Sequence, residues 1–129
     1  MDKKSLKLES HIEDDITVHG VVEHIKELIT ILIDNAIKYC DENGSIRIEL
    51  LKKQPGNNIT FAVSNTYQSG KNINYARFFE RFYRGEQSHN NKIEGYGIGL
   101  AMAKGFAKES KCKISVDYKE DTIVFTVKF

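Results

Sequence analysis

From Val21 to about Tyr39 the apolar residues Ile25, Leu28, Ile29, Leu32, Ile33, Ala36 and Ile37 recur at three- and four-residue spacing, the period of a helix with one buried face. Such a stripe needs a second layer to cover it, and the flanking sequence supplies strands. Leu6, Leu8 and Ser10 alternate with Lys7, Glu9 and His11, which predicts a short strand, and Ile16-Thr17-Val18-His19 predicts a second that pairs with it. Asp41-Glu42-Asn43-Gly44 ends the long helix. Ser45 to Leu50 alternates as a strand, and a turn at Pro55-Gly56-Asn57-Asn58 joins it to Ile59-Thr60-Phe61-Ala62-Val63 as a hairpin. The stretch from Tyr75 to about Tyr83 clusters aromatics in a short helix, residues 85–95 read as a polar loop, and Ile98 to about Lys108 forms a third helix opened by glycines. Lys113-Ile114-Ser115-Val116 and Thr122 to Val127 close the chain as a hairpin around Lys119-Glu120-Asp121. The expected order is ββαββααββ. Because strands come as adjacent pairs, the fold class is α+β, a two-layer α/β sandwich whose mixed, mostly antiparallel sheet is covered on one face by three helices.

At 129 residues the chain has the size of one domain, residues 1–129. Its 19 basic and 18 acidic residues give a formal charge of +1, so charge offers no case for nucleic acid or a membrane surface as partner. Specificity must come from local geometry. Cys40 and Cys112 make no metal-binding spacing; they read as two free thiols of a reduced intracellular protein, with a disulfide between them as the alternative. No apolar run approaches the length of a membrane span, and no secretory signal follows Met1-Asp2-Lys3-Lys4. The chain is therefore expected to work in the cytoplasm without touching the membrane itself, even where its parent is anchored there.

Two clusters carry candidate chemistry. Asn35 shares a helical stripe with Lys38 and Tyr39 on an otherwise oily helix. An Asn amide oxygen suits a magnesium ion that draws other ligands from phosphates and water, and Lys38 reaches the same phosphates. The bland alternative is the solvent boundary of an amphipathic helix. The second cluster, Gly95-Tyr96-Gly97-Ile98-Gly99-Leu100, sets three glycines at alternate positions before a helix. It offers close backbone approach and free N–H groups to a polyphosphate, or else is a plain turn. Neither a dinucleotide fingerprint nor a P-loop is present; Gly70-Lys71 is followed by Asn72 and has Asn65 where the first P-loop glycine belongs. Between the clusters, Phe78-Phe79-Glu80-Arg81-Phe82-Tyr83-Arg84-Gly85 joins an aromatic anchor to Arg84, which either compensates charge on a terminal phosphate or is simply solvated.

Taken in order, Leu32-Ile33-Asp34-Asn35-Ala36-Ile37-Lys38-Tyr39, Phe79-Glu80-Arg81-Phe82-Tyr83-Arg84 and Gly95-Tyr96-Gly97-Ile98-Gly99-Leu100 closely resemble the N, F and G2 boxes of bacterial sensor histidine kinases. The resemblance spans Leu6 to Phe129 and implies the Bergerat ATP-binding fold shared with gyrase and MutL-type ATPases. It implies that Asn35 ligates magnesium, Lys38 contacts phosphate and Tyr39 borders the nucleoside. Gly95, Gly97 and Gly99 would hinge an ATP lid at residues 85–95, with Tyr96, Ile98 and Leu100 completing the box. The cofactors implied are ATP and Mg²⁺. The implied partners are the dimerisation and phosphoacceptor helices of a parent kinase and a response regulator.

The chain departs from that pattern twice. Where the family's adenine-reading box has D-x-G-x-G, this sequence has Asn65-Thr66-Tyr67-Gln68-Ser69; Asn65 still accepts a hydrogen bond from the adenine amino group, but as a neutral acceptor. Ile31, one turn before Asn35, stands where related ATPases place a general-base Glu, which predicts poor ATP hydrolysis. None of His11, His19, His24 and His89 is followed by the acidic residue typical of a phosphoacceptor, so the chain is expected to bind ATP as a monomer without phosphorylating itself. The leading expectation is a histidine kinase catalytic domain that gives the γ-phosphoryl of Mg-ATP to a histidine on a separate dimerisation domain. The alternatives are a nucleotide-poor regulatory module and an anti-sigma-factor-type serine kinase of the same fold.

Overall fold

The computed structural model describes residues 6–53, 58–68, 70 and 96–129. Within them the chain runs β1 (Lys7–Ile12), α1 (Val22–Tyr39), β2 (Ser45–Lys53), β3 (Asn58–Thr66), α2 (Tyr96–Glu109), β4 (Lys113–Lys119) and β5 (Thr122–Lys128). The five strands form one sheet in the order β1-β2-β3-β5-β4. β1 lies parallel to β2 and the other three pairings are antiparallel, so the sheet is mixed and mostly antiparallel, as expected. The expected helix from Tyr75 to Tyr83, the polar loop at residues 85–95 and the 54–57 turn lie outside the described residues.

Alternation builds the core. On β3, Ile59, Phe61, Val63 and Asn65 are buried; on β5, Ile123, Phe125 and Val127 are. Phe61 stands opposite Val127, Val63 opposite Phe125 and Asn65 opposite Ile123, so these side chains share one face of the sheet. Leu28, Leu32 and Ala36 of α1 and Leu100, Ala103 and Ala107 of α2 close over it in a single buried cluster. Among the described residues, these two helices therefore make the second layer. Both cysteines are buried and free, which excludes the disulfide alternative.

One expectation fails at the N-terminus. Ile16 to His19 forms no strand, and β1 pairs instead with β2, Lys7 beside Ser45 through Ile12 beside Leu50. A parallel pair needs a crossover, and α1 provides it. After Ile12 the chain keeps to β2 rather than turning back: the Glu13 N–H donates to the Leu50 carbonyl at 3.0 Å, and the Glu13 carboxylate accepts from the Lys52 N–H at 2.6 Å. Asp15 then takes the left-handed region at φ 59°, which breaks the extended run. The local hairpin loses to a long-range partner that the helix brings back.

The start of α1 is weakly made. Its N-cap is Val21, which has no side chain to bond the free N–H groups, and only Glu23 in the first turn opposes the helix dipole. Val21→Asp is expected to raise stability by about 1 kcal/mol, read as a higher midpoint in chemical denaturation with an unchanged slope.

Candidate functional site

The second half of α1 is wedged between the end of β3 and the start of α2. On one side the Tyr39 and Tyr67 rings meet edge to face, centroids 6.1 Å apart at 71°, and the Asp41 N–H donates to the Thr66 carbonyl at 3.0 Å. On the other side a methyl group built on Gly99 would sit 3.9 Å from Ile31 Cγ2. These contacts gather the N-box end of α1, the Asn65 segment that departs from the adenine-reading box, and the start of α2 around one end of the sheet.

Asn35 is the unusual member. It is 6% exposed, inside the buried stripe with Leu28, Leu32 and Ala36, and its Nδ2 has no hydrogen-bond partner among the described residues. A buried amide end left unsatisfied costs about 1–3 kcal/mol. Turning the amide over presents its oxygen at the same place, so the site offers either a donor or a hard neutral oxygen, and no described residue bonds to it. Lys38 is exposed one turn on, and Tyr39 is half-buried.

Asn65 is 2% exposed at the end of β3, and its Nδ2 donates to the Thr66 carbonyl at 3.1 Å. That bond leaves the side-chain oxygen as the accepting end. Sequence reasoning missed how firmly the glycine-free segment after Asn65 is held. Thr66 Oγ1 accepts from the Ser45 N–H at 3.1 Å. The Tyr67 N–H donates to the Asp121 carbonyl at 2.7 Å, the Tyr118 hydroxyl donates to the Tyr67 carbonyl at 2.8 Å, and the Asp41 carboxylate accepts from the Gln68 N–H at 3.0 Å. Asp41 closes α1, whereas Tyr118 and Asp121 both come from the β4–β5 hairpin, and only the acid closing α1 was visible as a local signal.

Burial, then the Asp41 carboxylate and Tyr118, push the Tyr67 hydroxyl above the usual tyrosine value. Tyr118 is pushed up as well, by desolvation first and then by Asp121 and Asp41. The folded state therefore favours both phenols in their neutral form. That contribution is fully present below about pH 10 and is lost as pH rises through the raised folded values. Denaturation midpoints are expected to fall above about pH 10, and Tyr118→Phe is expected to flatten the fall.

Helix α2 starts at Tyr96, two residues earlier than expected. Tyr96, Gly97, Ile98 and Gly99 thus belong to the helix rather than to a hinge before it, because packing on α1 outweighs the poor helix propensity of glycine. The N–H groups of that first turn have no acceptor inside the helix and remain suited to an anion. Leu100 is fully buried in the core and fixes the helix start. Gly95, Arg84 and His89 lie outside the described residues. Of the other histidines, His11 and His19 are exposed, while His24 lies against the Phe106 ring, centroids 5.3 Å apart.

Comparison with known proteins identifies the family and the fold. The family described as histidine kinase-, DNA gyrase B- and HSP90-like ATPase matches residues 20–129. The signal transduction histidine-protein kinase BaeS of Escherichia coli is 35% identical over 99 residues, 77% of this chain and 21% of the relative. The sensor histidine kinase YkoH of Bacillus subtilis is 34% identical over 107 residues, 83% of this chain and 23% of the relative. The chain thus spans about a quarter or less of these relatives. Among solved structures, the mycobacterial sensor histidine kinase MprB superposes with a TM-score of 0.80 at 20% identity, covering 96% of this chain and 82% of that one. The catalytic domain of the histidine kinase ThkA gives 0.75 at 21% identity, covering 96% and 78%.

Proposed function

This chain belongs to the histidine kinase-, DNA gyrase B- and HSP90-like ATPase family, and from that premise we propose that it holds Mg-ATP for phosphorylation of a histidine on a separate dimerisation domain of its parent sensor kinase. The observation that carries the proposal is the buried, unsatisfied amide of Asn35. An amide oxygen at that place would hold a magnesium ion, and when bound the ion would supply positive charge to the phosphates.

The chain's own residues bind and aim the nucleotide. Lys38, one turn along α1, adds positive charge at the phosphates. The free N–H groups in the first turn of α2 hold phosphate oxygens. Asn65, with Nδ2 tied to the Thr66 carbonyl, turns its oxygen to the adenine amino group. The Tyr39 and Tyr67 rings border the base, with Tyr67 held from behind by Tyr118 and Asp121. Arg84 and Gly95 keep their proposed places at the terminal phosphate and in the lid.

Phosphoryl transfer of this kind is mostly positioning and electrostatics. Ile31, half-buried one turn before Asn35, has no group to activate water, which favours transfer to a protein acceptor over hydrolysis. The acceptor histidine and the response regulator lie in other parts of the pathway. The catalytic portion works on the cytoplasmic side of a parent anchored in the membrane; among the described residues no helix is long and apolar enough to cross one.

Calorimetric titration with ATP and ADP, each with and without Mg²⁺, tests the reading. Micromolar binding, about −8 kcal/mol, that weakens when metal is removed is the expected result. No heat at millimolar nucleotide overturns it.

A further inference from the structure

Away from the nucleotide end, a cavity of about 480 Å³ opens between α2 and β4. Four lysines line it, Lys104 and Lys108 from α2, Lys113 from β4 and Lys128 from β5, over a floor that includes Ala107 and Ile114. No acidic side chain lines it, and none of the four lysines has an ion-pair partner among the described residues. The arrangement is unfavourable as it stands. Lys104 and Lys108 are like charges four residues apart on one helix, and Lys113 and Lys128 are register partners across the β4–β5 ladder, where like charges also repel.

β4 is moreover the last strand of the sheet on this side, so one row of its backbone N–H and C=O groups is unpaired by any described strand. Lysines on the strand alone would serve to guard such an edge. Lys104 and Lys108 are not on the strand; they extend the positive charge over the helix and make a groove of it. The net charge of the chain is only +1, so this concentration is local.

We propose that the α2–β4 groove is a docking site for an extended acidic segment of a partner protein, which adds as a strand beside β4. Its carboxylates neutralise the four lysines, and an apolar side chain rests on Ala107 and Ile114. Free backbone groups on the edge single out a peptide, because neither a nucleic acid nor a membrane surface supplies a strand to pair with them. The site is independent of the nucleotide reading, since it uses the C-terminal half of α2 rather than its first turn.

The probe is a labelled synthetic peptide alternating glutamate with valine, titrated into the full chain by fluorescence anisotropy at low and at physiological salt, with amide exchange measured on the complex. Binding that weakens with salt, falls at least roughly tenfold in K104E/K108E and slows exchange at the outward amides of β4 is the expected result. Thermal midpoints of the variant should stay close to those of the parent chain, because attraction to Lys113 and Lys128 offsets the loss of Lys108 from the last turn of α2, and this separates lost binding from lost folding. Equal or tighter binding of a DNA duplex or of anionic phospholipid vesicles overturns the proposal, as does peptide binding that ignores the charge reversals or leaves β4 exchange unchanged. Self-association of the chain that disappears in K104E/K108E overturns it in favour of a second copy.

Discussion

Replacing Asn35 by leucine is expected to stabilise the ligand-free protein by about 1–3 kcal/mol and to weaken Mg-ATP binding by roughly 100-fold or more, about 2.7 kcal/mol. The two effects have one origin. Asn35 sits in the buried stripe of α1 beside Leu32 and Ala36 with an amide nitrogen that no described group satisfies. Leucine has the same branched skeleton, though larger end groups, and no polar atom to desolvate, so the cost of the orphaned amide disappears. The proposed metal ligand disappears with it. Urea denaturation without nucleotide, beside calorimetry with Mg-ATP, reads both effects. A variant that is less stable than the parent chain assigns Asn35 a structural role, and one that binds Mg-ATP unchanged places the metal elsewhere. Stability held back by a group kept for its ligand is the usual mark of a functional residue.

The parts of the fold legible in the sequence are those whose order is local. The stripe Leu28, Leu32, Ala36 announces α1, and the alternation of Phe61 and Val63 or of Phe125 and Val127 announces the central strands. Each follows from a period that a short window displays. The β1–β2 pairing was not legible, because its register is decided across the whole of α1 and by Glu13 reaching Leu50 and Lys52. The start of α2 was misplaced by two residues for a related reason: Tyr96 and Gly97 read as lying before the helix, which in fact includes them. In the candidate site, Asn35 and Asn65 were legible as polar residues to single out, and both are buried. The bonds that hold Tyr67 and Gln68 were not, since no local pattern marks Tyr118 and its hydroxyl finds Tyr67 only after β4, β5 and β3 are assembled.

Gly44→Ala is expected to cost about 3 kcal/mol, an overpacked contact plus a lost hydrogen bond. Gly44 closes the turn between α1 and β2, and a methyl group there would meet the Asp41 carbonyl oxygen at 2.7 Å, Cys40 Sγ at 2.8 Å and, closer still, Thr66 Oγ1. The backbone oxygen has no rotamer with which to yield. Thr66 can turn only by giving up the Ser45 N–H, at the residue whose carbonyl orients Asn65. Gly44 itself is held at 2.9 Å on both sides, its N–H on the Asp41 carbonyl and its carbonyl on the Lys7 N–H, so shifting it loosens the first bond of β1. Gly105→Ala supplies the contrast. Gly105 lies within α2, and nothing stands within 4 Å of the added carbon, so alanine there is expected to stabilise by about 0.5–1 kcal/mol. Both substitutions remove the same backbone freedom from the unfolded chain. The difference between them, about 3.5–4 kcal/mol on these figures, therefore reports the native contacts at Gly44. Equal midpoints for the two variants in thermal denaturation would mean that the turn relaxes freely and that the hold of Thr66 on Asn65 is slack.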